Sequence, residues 1–220
     1  TMSGGGQTVY SVANGTVSTM NSGHQSISSG GTGTVSALIG GSQIISSGGS
    51  GTVSTMSGGT QVMSGGTGTI NTMNSGLQWL LSGGTCTIDV MHDGLQDIRS
   101  GGTGTIDTMN GGRQYIASGG TGTISSLLGG IHDIQNGGTA LDTVIAGGTQ
   151  LVSGGAVISG ATLSAGVQQV YDGTNLNNIT FAGGTQAVMS GATVSGMQVA
   201  NGVQSVSYTH LRAHETTLHL

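Results

Sequence analysis

Lysine is absent from this chain of 220 residues, and charged side chains of any kind make up 5% of it. So few cations cannot neutralise a run of phosphates, which excludes nucleic-acid binding as a main activity. The net charge of −5 reflects this scarcity of cations and not an acidic block. The lone cysteine, Cys86, rules out an intrachain disulfide. No apolar run reaches the ~20 residues that a membrane-spanning helix needs. The opening Thr1-Met2-Ser3-Gly4 has neither the basic segment nor the apolar core of a secretion signal. The glycine-rich stretches lack the lysine of a phosphate-binding loop, and no Gly-x-Ser-x-Gly nucleophile motif occurs.

Glycine is what the chain has in excess, 46 residues of it, and it is placed periodically. The register is marked by Gln7, Gln25, Gln43, Gln61, Gln78, Gln96, Gln114, Gln150, Gln168, Gln186 and Gln204. Each step is 18 residues or a multiple, except one of 17 between Gln61 and Gln78, which marks a deleted residue. His132 fills the one vacant slot. A Gly precedes each marked position by two residues, and an apolar residue follows it by two, as in Gly23-His24-Gln25-Ser26-Ile27. That alternation predicts a short strand with one buried face. A Gly-Gly pair then turns the chain, and a second β-prone run follows, ending in an apolar column such as Leu38, Met56 and Met73.

Helix is a poor alternative, because each glycine costs about 1 kcal/mol relative to alanine in a helix. Short strands joined by glycine turns at a fixed period predict an all-β fold, a parallel β-helix (β-solenoid) of about twelve 18-residue coils over residues 1–206. Coils stack at ~4.8 Å, so one sequence column becomes one physical ladder. The Gln column shares parity with the buried apolar residue and is expected inward or at a corner, its amides bonded along the axis and His132 continuing them. After residue 140 the second apolar column moves two places earlier, to Ile158, Leu176 and Val194, which reads as a second repeat subtype. Residues 207–220 contain no glycine and read as a non-repeat tail, artefactual or disordered. The chain opens within the repeat, so it is expected to be a fragment of a longer protein.

The unit quoted from Gly41–Met56 and Gly112–Leu127 resembles the strand–loop–strand passenger repeat of AIDA-type, self-associating autotransporter adhesins. The resemblance covers residues 1–206 and rests on period, glycine placement, Gln and the Gly-Gly turn matching together. It implies a right-handed β-helix outside a Gram-negative cell, anchored through an outer-membrane barrel that this sequence does not contain. It implies adhesion, self-association and biofilm formation. Its partners would be copies of itself on neighbouring cells or host surface components, and an O-heptosyltransferase acting on Ser and Thr. No cofactor, enzyme activity or membrane insertion of this segment is expected.

Other candidates follow from the columns. Thr32/Thr34, Thr67/Thr69, Thr85/Thr87, Thr103/Thr105 and Thr121/Thr123 would stack as two surface hydroxyl ladders, the arrangement of an ice-binding face. Asp89 and Asp107 share a column in adjacent coils and form a weak candidate for a calcium site. A carbohydrate-active β-helix enzyme would need acids gathered on one face, and here they are spread over the repeats. His92-Asp93 and His132-Asp133 are sequence neighbours, which in a strand point to opposite faces. Trp79 and Tyr115, one residue after Gln, point outward as contact points for a partner. Cys86 replaces an inward Gly and reads as a small buried filler.

Overall fold

The computed structural model describes residues 1–195 and 198–206, so the tail at 207–220 lies outside the described residues. Those described residues form strands and turns without helix. The strands pair in parallel, each with its counterpart one repeat later, and build a β-solenoid of about eleven turns. Like sits on like: Gln25 is opposite Gln7 on one side and Gln43 on the other. The register holds to the last pair, Gln186 with Gln204.

The missing residue between Gln61 and Gln78 is taken from a turn. Ser46 pairs with Ser64 and Ser50 with Thr67, so Ser47-Gly48-Gly49 in one coil is answered by Gly65-Gly66 in the next. Gly65 takes the left-handed φ of 77°, as Gly48 does at 74°. The Gly48 N–H still donates to the Gly65 carbonyl at 3.2 Å. Only glycine adopts this conformation freely, so the turn tolerates the loss without disturbing either strand.

The interior has two apolar stacks. One is built by the residue two places after Gln, including Ile27, Ile45, Met63, Leu80, Ile98, Ile116 and Ile134. The other is built from the second strand, as in Val35/Leu38, Val53/Met56, Ile70/Met73 and Ile88/Met91. Burying each such side chain contributes about 1.5–3 kcal/mol, but one coil covers neither its top nor its bottom. Stability therefore comes from stacking, and a coil is not a folding unit by itself.

The second subtype keeps the coil length and changes the corner. In early coils strands such as Thr32–Leu38 and Thr103–Met109 run unbroken. In late coils a three-residue strand, Thr139–Leu141 or Val157–Ser159, is followed by a left-handed residue. That residue is Asp142 (φ 46°), Gly160 (φ 72°) or Asn178 (φ 57°), the types that tolerate positive φ best. The kink turns Thr143, Ala161 and Ile179 into the interior. The inward glycine of early coils is replaced there by buried Ala140, Ile158 and Leu176.

Candidate functional site

The Gln column stands inside the solenoid. From Gln25 to Gln186 every member, His132 included, is fully buried. Each Gln donates from Nε2 to the Oε1 of the Gln in the preceding coil, at 2.5–3.1 Å, from Gln25→Gln7 to Gln114→Gln96 and again from Gln168→Gln150 to Gln204→Gln186. Within each run the buried amides are satisfied by their neighbours, as a buried polar group requires, except at the break between Gln114 and Gln150. The inward glycines make room for it. A Cβ at Gly33 would lie 2.6 Å from Gln25 Oε1 and 2.3 Å from Ile27 Cδ1. Cys86 occupies this glycine column, buried, with its Sγ 2.6 Å from Gln78 Nε2. Burial pushes its thiol pKa up, so no nucleophilic thiolate forms there.

His132 breaks the ladder on one side. Gln150 Nε2 lies 3.2 Å from His132 Nδ1, so Nδ1 accepts and the neutral ring carries its proton on Nε2. Among the described residues, His132 Nε2 and Gln114 Oε1 are buried without a partner. A donor and an acceptor that would close the missing rung face an interruption instead. Burial in this apolar setting drives the His132 pKa down to about 3, so it is a neutral interior group.

The surface columns are plainer. Thr32, Thr67, Thr85 and Thr103 are exposed, whereas Thr34, Thr69, Thr87, Thr105, Thr121 and Thr123 are half-buried. They are stacked in register, with Ser50 and Thr52 interposed. Asp89 is half-buried and Asp107 exposed. The described residues contain no group of three or more His, Cys, Asp or Glu able to hold a metal.

One stretch of surface gathers aromatic and charged side chains, on the outer side of the Gln strands. Trp79, Asp97, Tyr115 and Asp133 stand above one another in four successive coils. The two arginines of the described residues flank this column. Arg99 donates from Nε and Nη2 to Asp97 Oδ2 at 3.2 and 3.1 Å and lies 5.5 Å from the Trp79 ring centroid. Arg113 pairs with Asp133, which also accepts from Gln135 Nε2 at 2.7 Å, and lies 5.3 Å from the Tyr115 ring. The guanidinium side chains remain 54% and 47% exposed while their carboxylates are 12% and 5% exposed. The net result is aromatic rings and positive charge on the outside, with the acids beneath. The sequence singles out Trp79 and Tyr115, names Asp133 only as the neighbour of His132, and gives no notice of Asp97, Arg99 or Arg113. The signal available was positional: Arg99 and Arg113 fall within a few residues of consecutive ladder glutamines, in the two repeats that follow the only tryptophan.

No helix among the described residues is long and apolar enough to cross a membrane. No family model matches the chain, and no curated protein matches it. Among solved structures it is similar to one described as a TibC-catalyzed hyper-glycosylated TibA55-350 fragment, at 28% identity and a TM-score of 0.66. The match covers 93% of this chain and 92% of that one. Together with the shared solenoid fold, this likeness supports an AIDA-type autotransporter adhesin passenger as the family that the chain resembles.

Proposed function

We propose that this solenoid is a stalk segment of a bacterial surface adhesin, acting by contact with copies of itself or with host surface components and having no catalytic role. The observation that carries the reading is the likeness, over nearly the whole length of both chains, to the hyper-glycosylated TibA fragment. The architecture is consistent with that work. A stack of near-identical coils offers the same weak hydrogen-bonding groups again and again, and multivalency raises avidity without any single strong site. With 5% charged residues, two such rods approach with little repulsion. The Gln ladder serves the interior: it fixes coil register and leaves the outer face to vary. Residues 1–206 act as one repeat region with two subtypes. The exposed Ser and Thr columns are acceptors for a heptosyltransferase, by analogy with the glycosylated neighbour. The segment reaches the outside of a Gram-negative cell through a barrel supplied by the longer protein.

The test is settling of bacteria that display the parent protein, against cells that do not. Faster settling and greater attachment to surfaces are expected. Unchanged settling and attachment would remove the reading. The in-register Thr columns favour ice binding as a second reading, which requires thermal hysteresis and shaped ice crystals at high protein concentration.

A further inference from the structure

The geometry points to a binding site for an acidic carbohydrate on the outer face of the strands around Gln78, Gln96, Gln114 and His132. It rests on the adhesive reading above and names a chemistry for one surface that the stalk would contact. Three observations converge. The first is composition: the outer face of these coils gathers the only tryptophan, Tyr115 and both arginines of the described residues, where earlier coils present uncharged, non-aromatic side chains, Ser26, Ile44 and Val62 in the Trp79 column and Ser42 and Thr60 in the Arg113 column. The second is charge. Asp97 and Asp133 are tucked under their arginines, so the groups left exposed are guanidiniums, on a chain whose net charge is −5. A ligand with carboxylates matches that face, and a planar guanidinium presents two parallel N–H donors to one.

The third observation is Asp97 Oδ1, a buried acceptor without a partner among the described residues. In register it lies between Trp79 in the coil below and Tyr115 in the coil above. Arg99 covers both Trp79 and Asp97. When it turns outward to meet a ligand carboxylate, it frees the ring and the Asp97 carboxylate, whose Oδ1 has no partner among the described residues. The ring then offers a flat apolar face to a sugar, and the oxygen accepts a sugar hydroxyl. Size favours a sugar chain over a protein. Four coils at ~4.8 Å and about five strand residues at ~3.3 Å give roughly 300 Å², whereas a stable protein interface needs about 800 Å² from each partner.

Trp79 is a built-in reporter. The full chain would be titrated with tetragalacturonate while its tryptophan fluorescence is followed, with maltotetraose as the uncharged control and poly-glutamate as the protein-like control. The expected result is saturable change with tetragalacturonate, at least tenfold weaker binding at 0.5 M salt than at 0.05 M (roughly the range over which screening acts), and no response to maltotetraose. The paired variants R99Q/D97N and R113Q/D133N remove each cation with its buried acid, so neither leaves an unpaired charge. Each should weaken binding at least tenfold by calorimetry, with the circular dichroism of the wild type. No saturation with tetragalacturonate, an equal response to maltotetraose, equal binding by poly-glutamate, or unchanged affinity in both variants would overturn the proposal. Settling of displaying cells is scored separately. Normal settling without galacturonate binding sinks this site alone, and binding without settling sinks the adhesive reading alone.

Discussion

Replacing His132 by Gln should make the solenoid more stable, and more so in acid. At neutral pH the wild type buries His132 Nε2 and Gln114 Oε1 without partners, each at a cost of about 1–3 kcal/mol. A glutamine there meets the same environment as its nine fully buried counterparts. Its Nε2 reaches Gln114 Oε1, and its Oε1 receives Gln150 Nε2. Allowing for imperfect fit, the gain at pH 7.5 is about 2 kcal/mol. A second contribution grows as pH falls. Burial lowers the His132 pKa from an ordinary 6.5 to about 3, so between these values the unfolded chain holds a proton that the folded chain refuses. The stability associated with a neutral His132 is complete above pH 6.5 and is lost as pH falls toward 3. At ~1.4 kcal/mol per pH unit, the loss is about 3 kcal/mol by pH 4.5 and is bounded at about 5 kcal/mol. H132Q lacks this group and should not share the loss. Urea unfolding followed by circular dichroism at pH 7.5 and 4.5 reads both effects. Because a solenoid can open locally, hydrogen exchange at the amides of Ile131–Ile134 gives the local value. The reasoning is refuted if H132Q is no more stable than wild type at pH 7.5 and loses as much stability between the two pH values.

Other substitutions test the same interior. Gln96→Ala removes a rung and strands Gln78 Oε1 and Gln114 Nε2, so it should cost about 2–5 kcal/mol in urea unfolding. Gly104→Val drives a Cβ to within 2.6 Å of Ile98 Cδ1 and 2.7 Å of Gln96 Oε1. It should cost about 1–3 kcal/mol by the same assay, and a neutral result would mean the interior is looser than the packing shows. Inserting one serine between Ser64 and Gly65 restores the 18-residue step in a surface turn, and the stability read from urea unfolding should stay within about 0.5 kcal/mol of wild type. A calcium titration should give no heat, because Asp89 and Asp107 have no third acidic, histidine or cysteine ligand near them among the described residues.

The interior was legible because it repeats. A residue type that returns every 18 positions has to meet its own copy in a parallel stack, so the column Gln7 to Gln204 announced both the register and the face. Aliphatic residues two places on announced the core by the same logic. Legibility failed where the coil bends. The move of the apolar column to Ile158 and Leu176 was visible, but Thr143, Ala161 and Ile179 gave no sign of turning inward. Their orientation follows from the left-handed residue before each, Asp142, Gly160 or Asn178, and alternation counted along a straight strand assigns them to the wrong face. Charge was hidden for a related reason. Arg99 and Arg113 lie 14 positions apart in sequence, and only the stacking of coils brings Arg99 onto Trp79 and Arg113 onto Asp133. Contacts between coils depend on the residue one period away, so a surface site on a solenoid has to be read across columns. The repeated interior supplies the frame for that reading. It holds most inward positions to Gln, Gly and apolar residues and leaves the outward ones free, so large and charged side chains such as Trp79, Asp97, Tyr115 and Asp133 collect on the outer side of the strands, where binding chemistry can vary at little cost to the fold.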